Sequence, residues 1–439
     1  MEIEKFLEDQ KKPSAASNSL EGKPASTKKP SRKKKGESAQ SENVLRLTKI
    51  EKIERFLEDE KYQLRYNIVK NAVEYSHKNS AWHDLDDRTA KRIEAELLRS
   101  GMTGVERTLN VVLSNATDFD PMAEYLKKHK WDEKDHITAL ANFVEMAADR
   151  REWFNLMFKK HLVRLVACAL GKLAFNKQAF ILLGGQSGGK SSYIRALIPP
   201  ELLPYYTENI EIDNKDGLVT LARNYIINID ELTSLSRHDI TKVKAFLSYD
   251  KVKARLPFDR RETNLRRRAT FFGTTNQDEF LTDETGNVRW LVMPITSINH
   301  DHGGANGYAS IDINQVYAQA AALLESGFAY EMNSEEIAQN EVYNSSHLSR
   351  PMEYELIAKY LEPSRRGIDD FMTASQIAVL INTRTGFKTN KIMIGKALTM
   401  LNNQSAEKWK FEKISMRVPP EMISQKGYIL IERPTKANP

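Results

Sequence analysis

Ala179-Phe180-Ile181-Leu182-Leu183-Gly184-Gly185-Gln186-Ser187-Gly188-Gly189-Lys190-Ser191-Ser192 is the stretch on which the fold turns. Its first part, 179–183, is a continuous apolar run and reads as a strand buried on both faces, as in a parallel sheet. Gly184 to Ser191 satisfies G-x-x-x-x-G-K-[ST] in full, and Ser192 to Ile198 reads as a short helix stopped by Pro199-Pro200. Anionic phosphates require several backbone N–H groups pointing inward, and glycines permit the tight loop and the close approach. A helix start adds a favourable dipole. Lys190 sets a positive charge against the outer phosphates, and the Ser191 hydroxyl can ligate Mg²⁺. With Gly at roughly 7% of residues, the four fixed positions coincide by chance in about one chain of this length in a hundred. The expected ligands are ATP and Mg²⁺. The residues that would hold the nucleotide are Gly184, Gly185, Gln186, Ser187, Gly188, Gly189, Lys190, Ser191 and Ser192.

Working outward, strands and helices alternate from Ala179 to about Ile295, the signature of an α/β sheet. Tyr225 to Ile229 is a second apolar strand and delivers Asp230-Glu231 at its C-terminal end, where open α/β sheets bind ligands. Asp230 is expected to hold Mg²⁺, through water, and Glu231 to orient and polarise an attacking water. A third strand, Ala269 to Thr275, ends at Asn276, which can reach the γ-phosphate or that water. A fourth, Trp290 to Ile295, is preceded by Arg289, placed to face the phosphates of a neighbouring subunit as an arginine finger. Lys190, Asp230, Glu231, Asn276 and Arg289 are thus the candidate catalytic set, and Ser191 and Asp230 the candidate metal ligands. Between the second and third strands, Lys251, Lys253 and Arg255 alternate with Val252, Ala254 and Leu256, which puts three cations on one strand face. Arg260 and Arg261 follow a turn near Asp259, making a basic hairpin.

These motifs resemble superfamily 3 helicases of the AAA+ class. Arg255-Leu256-Pro257-Phe258, then Glu262, Arg267 and Arg268, Phe272 to Asn276, Phe280 to Asp283 and Gly286 to Arg289 resemble more narrowly the virulence-associated protein E family of phages, integrated islands and mobile elements. Upstream, Asp120-Pro121, Tyr125-Leu126 and Trp131-Asp132 resemble that family's lead-in, and the likeness covers about Pro121 to Ile295. The family often shows two arginines where this chain has Val288-Arg289, so only Arg289 is carried over; Arg267 and Arg268 are the next candidates for the finger. The resemblance implies an ATP-hydrolysing DNA helicase or translocase in the replication of a mobile element. It further implies a ring, expected to be a hexamer, whose hairpins grip single-stranded or forked DNA in a central channel. The alternative is a nucleotide-dependent switch or scaffold ATPase that binds DNA without unwinding it. A small-molecule kinase would need a lid and an acceptor pocket, of which the sequence shows no sign.

The chain has 439 residues, 41% hydrophobic and 28% charged, with a net charge of +6 that suits a nucleic-acid partner. One cysteine, Cys168 in an apolar stretch, excludes an internal disulfide framework and fits a reducing cytoplasm. The start has no apolar signal core and no run approaches a membrane span, so no membrane partner is expected. Residues 1–45 read as a disordered basic tail containing Lys28 to Lys35. Residues 46–150 read as an N-terminal α+β/helical domain without a clear cluster of metal-binding carboxylates for a primase, and 151–335 as the P-loop AAA+ domain, entered through an amphipathic helix at Glu152 to Lys172. In 345–439, helices at Thr373 to Ile381 and Asn390 to Leu401, followed by segments 409–418 and 427–432, read as a winged-helix-like domain whose Lys388, Lys391 and Lys396 can touch phosphates. One outcome follows from the basic hairpin. Lys253→Ala and Arg255→Ala should weaken single-strand binding about equally for all sequences. The slope of log affinity against log salt should shrink by roughly 0.7 per lost contact, measured by fluorescence anisotropy; an unchanged slope in folded variants removes the hairpin from the DNA path.

Overall fold

The computed structural model describes residues 47–208, 215–232, 237–254, 263–281, 287–364, 367–404, 413–418 and 423–433. The basic run Lys28 to Lys35 and the hairpin residues Arg255, Arg260 and Arg261 lie outside them. The N-terminal elements are α1 (Lys49–Asp59), β1 (Tyr62–Asn67), β2 (Ala72–His77), β3 (His83–Asp84), α2 (Asp87–Arg99), α3 (Glu106–Ser114), β4 (Thr117–Phe119) and α4 (Pro121–Lys128). The strands order as β3-β2-β1-β4, with β1 antiparallel to β2 and parallel to β4. The sequence pattern suggests one strand from Tyr62 to Tyr75; the structure folds it into a hairpin. The Asn67 side chain accepts from the amides of Val69 and Lys70 at 3.1 and 3.0 Å, and Asn71 takes φ 52°, so this turn reverses the chain. Asp86, not Asp87, caps α2, accepting from the Thr89 amide at 2.8 Å.

Next come α5 (His136–Ala141), β5 (Val144–Glu145) and α6 (Arg151–Ala169). The sequence pattern suggests an amphipathic α6, but every residue from Lys160 to Ala169 is buried. This second half of the helix is covered all round, while Glu152 and Leu156 in the first half stay exposed, and its polar residues carry partners into the core. Lys160 Nζ meets the Glu336 carboxylate at 2.8 Å, and His161 Nε2 donates to the Phe271 carbonyl at 3.0 Å from a ring that burial keeps neutral. Cys168 is buried, which pushes its thiol up to about 12, as fits a small apolar residue.

The central elements are β6 (Ala179–Leu183), α7 (Lys190–Ala196), β7 (Tyr206–Thr207), α8 (Lys215–Arg223), β8 (Ile226–Ile229), α9 (Arg237–Ser248), β9 (Lys251–Ala254), β10 (Thr263–Arg266), β11 (Thr270–Thr275) and β12 (Trp290–Pro294). Five of the strands form a parallel sheet in the order β12-β6-β11-β8-β7. Alternate residues feed two cores: Phe180, Leu182, Phe272 and Leu291 pack with α6, while Ile181, Ile227, Phe271 and Val292 pack on the other face with Val243 and Phe246 of α9. β9 and β10 pair antiparallel, Lys253 opposite Asn264, as the expected hairpin requires.

Then follow β13 (Ser297–Ile298), paired with β5, and the helices α10 (Ile313–Glu325), α11 (Ser334–Ser345) and α12 (Met352–Tyr360). The last elements are β14 (Leu361–Pro363), β15 (Phe371–Thr373), α13 (Ala374–Thr385), α14 (Lys391–Gln404), β16 (Lys413–Val418) and β17 (Ile423–Glu432), with β17 paired to all three other strands. Thr373 and Gln376 form a capping box at the start of α13, and Gly386 ends it at φ 72°. Ile357, Ile377, Ile394, Leu398 and Leu430 form a separate core there. No helix among the described residues is long and apolar enough to cross a membrane.

Arg267 and Arg268 follow β10 and turn inward. Arg267 is 0% exposed; it donates to the carbonyls of Leu247 at 2.8 Å, Tyr249 at 2.6 Å and Asn176 at 2.6 Å, between the rings of Phe175 and Phe271. Arg268 donates to the Ala169 carbonyl and lies 3.7 Å from the Asp120 carboxylate. Both tie strands to helices, and their burial removes them as candidates for an arginine finger. Arg267→Ala strands the two buried carbonyls of Leu247 and Asn176, and at about 1 kcal/mol or more for each unmet group the loss should reach about 2 kcal/mol, read from the urea midpoint. A change within about 0.5 kcal/mol, the usual range for a surface substitution, would show that Arg267 is no strut.

Candidate functional site

The site begins where β6 leaves the sheet. The Gly184 amide donates to the Thr275 carbonyl at 3.1 Å and the Ile295 amide to the Leu183 carbonyl at 2.7 Å, so the loop springs from between the ends of β11 and β12. A Cβ on Gly184 would lie 2.9 Å from the Ile295 carbonyl oxygen, which only glycine avoids. Ser187 and Gly189 take φ 60° and 72°, turning the loop back toward α7. Lys190 Nζ donates to the carbonyls of Gly184 at 2.9 Å and Gly185 at 2.6 Å, which stretches the side chain across the loop. Burial pulls its ammonium below the usual lysine value, and the Asp230 carboxylate offsets part of that.

Asp230 follows β8 and stands beneath the loop. Its Oδ1 accepts from Ser191 Oγ at 2.6 Å and from Thr274 Oγ1 at 2.6 Å. Thr274 Oγ1 in turn accepts from the Glu231 amide at 3.1 Å. Glu231 takes φ 49°, a left-handed conformation costly for a side chain of this kind, and such outliers gather at functional sites. A cavity of about 310 Å³ is lined by Gln186 to Ser192, by Asp230 and Glu231, and by Thr274, Thr275 and Asn276. A hydroxyl and a carboxylate oxygen side by side are the donor set that Mg²⁺ accepts from a protein when phosphates complete its shell, so Ser191 and Asp230 fit that ion.

The structure therefore brings Lys190, Ser191, Asp230, Glu231 and Asn276 to one cavity. Arg289 is elsewhere: its Nε donates to Ser248 Oγ at 2.9 Å, and it precedes Trp290, which pairs with Ala179 at the opposite end of β6 from the loop. Lys253 is exposed on β9, while the side chain of Lys251, like Arg255, Arg260 and Arg261, lies outside the described residues. Lys388, Lys391 and Lys396 are exposed on the C-terminal elements. Sequence reasoning missed Thr274 as the residue joining the two acidic positions. The polar end of β11 was visible, but only the pairing of Gly273 with Ile229 sets Thr274 beside Asp230.

Comparison with known proteins adds the family. The model of the virulence-associated protein E-like domain matches residues 126–349, just over half of the chain. Among curated proteins no match is found. Among solved structures, the apo C-terminal region (305–718) of NrS-1 is 11% identical, with 86% of this chain and 98% of that one covered at a TM-score of 0.48. The SCCmec type IV Cch, named as an active helicase, is 11% identical over 64% of this chain and 66% of its own, at 0.33. The JCV helicase is 14% identical over 62% of this chain and 82% of its own, at 0.28. These three are loose likenesses of chain path. The family match spans β6, the loop, both acidic residues and β12, and on that ground the chain belongs to the virulence-associated protein E-like family.

Proposed function

We propose that this chain is an ATP-hydrolysing motor that moves along or opens DNA during replication of a mobile element. The observation that carries the reading is the set of hydrogen bonds at Asp230: Ser191 and Thr274 both donate to one carboxylate oxygen beneath the glycine loop, and Thr274 also accepts from the amide of Glu231. One carboxylate is thereby held against the loop hydroxyl, and the next residue is presented to the same cavity. In this reading the loop amides and Lys190 bind the β- and γ-phosphates, and Ser191 and Asp230 would hold Mg²⁺, which would supply charge neutralisation for the transferring phosphoryl group. Glu231 orients a water for attack on the γ-phosphorus, with ADP leaving, and Asn276 sits at the edge of that water's path. The attacking group is water rather than a second substrate, because two acidic residues face the cavity together.

Assembly belongs to the same reading. Arg289 stands before β12, at the opposite end of β6 from its own loop, and in this reading it serves a neighbour's site in a ring, proposed as a hexamer. The exposed Lys253 on the β9–β10 hairpin would track a single strand of DNA by its phosphates. Residues 46–150, 151–335 and 345–439 are proposed as the N-terminal, motor and winged-helix-like modules. In the last, α13 and α14 precede the β16–β17 hairpin and Lys388, Lys391 and Lys396 face solvent.

Hydrolysis should rise when single-stranded DNA is added, and a forked duplex should be opened. Stimulation without strand displacement would point instead to a switch on DNA, and an absence of stimulation to a different ATPase altogether. Lys190→Ala should nearly abolish hydrolysis. Glu231→Gln should bind ATP with Mg²⁺ yet turn over at least about a hundredfold more slowly, the scale of a lost proton-handling group; turnover at the parental rate would remove Glu231 from the chemistry.

Arg289→Ala should bind ATP normally and hydrolyse it about a thousandfold or more slowly, as for other arginine fingers. Mixed with Lys190→Ala, it should recover part of the activity wherever an intact loop faces an intact arginine, and recovery should depend on total protein concentration. A mixture as inactive as either variant, with co-assembly shown by mass measurement, means that Arg289 does not act across subunits.

A further inference from the structure

The order of the strands decides which way a nucleotide must lie in this site. The glycine loop leaves β6, which has β11 on one side and β12 on the other. Asp230, Glu231, Thr274 and Asn276 all stand at the ends of β8 and β11. If the reading above is right, and this inference rests on it, the γ-phosphate and the attacking water lie on that side. The α-phosphate, the ribose and the base then run the other way, toward the end of β12.

One side chain there has no role so far. Beyond β12 the chain passes Ile295 against Gly184, forms β13, and returns to the glycine loop at His300. A Cβ built on Gly189 would lie 3.7 Å from His300 Cδ2, so the exposed imidazole stands directly against the loop where it enters α7. Its position is held from both sides. The amides of Thr296 and Asn299 donate to the carbonyls of Glu145 and Phe143, each at 2.8 Å, and the ring of Tyr308 packs edge-on against Tyr193 of α7 at 5.2 Å. Between these anchors Asp301, His302 and Gly303 take φ 41°, 47° and 85°, three left-handed residues in a row where such residues ordinarily occur singly. The amide of His302 donates to His300 Nδ1 at 3.1 Å. Nδ1 being an acceptor, the neutral ring carries its proton on Nε2, so the far edge of the imidazole is a hydrogen-bond donor.

We propose that His300 is the nucleoside contact of this site. Its ring, presented by the loop 300–307, meets the ribose or base of a nucleoside triphosphate, and so distinguishes a nucleotide from a bare polyphosphate. The phosphate loop alone binds any chain of phosphates; His300 adds a flat apolar face and a directed donor beyond them, the combination that recognises a nucleoside.

Two ligands separate the contributions. Isothermal titration of the full chain with Mg²⁺ and either ATP or inorganic tripolyphosphate reads binding without turnover. His300→Ala should weaken ATP about tenfold and leave tripolyphosphate within about twofold. Since Ala removes the acceptor for the His302 amide, His300→Asn serves as the partner variant: its side-chain oxygen can keep that bond while the ring and Nε2 are lost, and the same selective loss of ATP affinity is expected. Equal weakening of both ligands in both variants would mean that His300 only supports the phosphate loop, and undiminished ATP binding would mean that it touches nothing; either result overturns the proposal. Should the parental protein, folded by circular dichroism, bind tripolyphosphate but show no preference for ATP, the nucleoside contact fails while the phosphate site stands. Should it bind neither, the ATP reading fails first.

Discussion

The strand β6 is the constraint from which the rest of the structure follows. Its residues are apolar on both faces, and its backbone must find partners on both edges, because an unpaired amide in a dry interior costs as much as a lost hydrogen bond. β11 and β12 supply the edges, and α6 on one side and α9 on the other cover the faces. Once those four elements are in place, the loop that leaves β6 has little freedom. It emerges between two strand ends, tied to Thr275 on one flank and crowded by Ile295 on the other.

That arrangement also explains where polar groups are tolerated in depth. Lys160, His161, Arg164, Arg267 and Arg268 are all buried around the sheet. Each has at least one partner with which to offset the loss of water: a carboxylate for Lys160, the Gln178 side chain for Arg164, carbonyls for the others. Burial draws the Arg267 guanidinium down to about 10, which still leaves it charged at neutral pH. These groups behave as ties between elements distant in the chain. Lys253, by contrast, stands exposed on β9, and Lys190 lines the cavity at the glycine loop. Burial, rather than residue type, marks Arg267 and Arg268 as ties that hold the fold.

The acidic pair shows the same logic at the site itself. Asp230 and Glu231 are adjacent in sequence but are held by different surroundings. Two hydroxyls converge on the first, while the second is turned by a left-handed backbone whose amide is secured to Thr274. Thr274 thus orients both from the neighbouring strand.

Local chemistry was legible in the chain alone. The apolar strand, the glycine loop with Lys190 and Ser191, and the strand ending in Asp230-Glu231 each depend on residues within a few positions of one another, so pattern and spacing suffice to read them. What depended on long-range packing was not legible. Periodicity suggested one exposed face along α6, yet from Lys160 to Ala169 the helix is covered all round. Arg267 and Arg268 were the next candidates for the arginine finger and proved to be buried ties. Thr274 meets Asp230 from 44 residues away, and His300 meets the glycine loop only because β12 lies next to β6. A short segment determines its own conformation and its own chemical groups. Which strands become neighbours is decided by burying the whole chain's apolar surface at once, and that choice alone sets which distant side chains share a cavity.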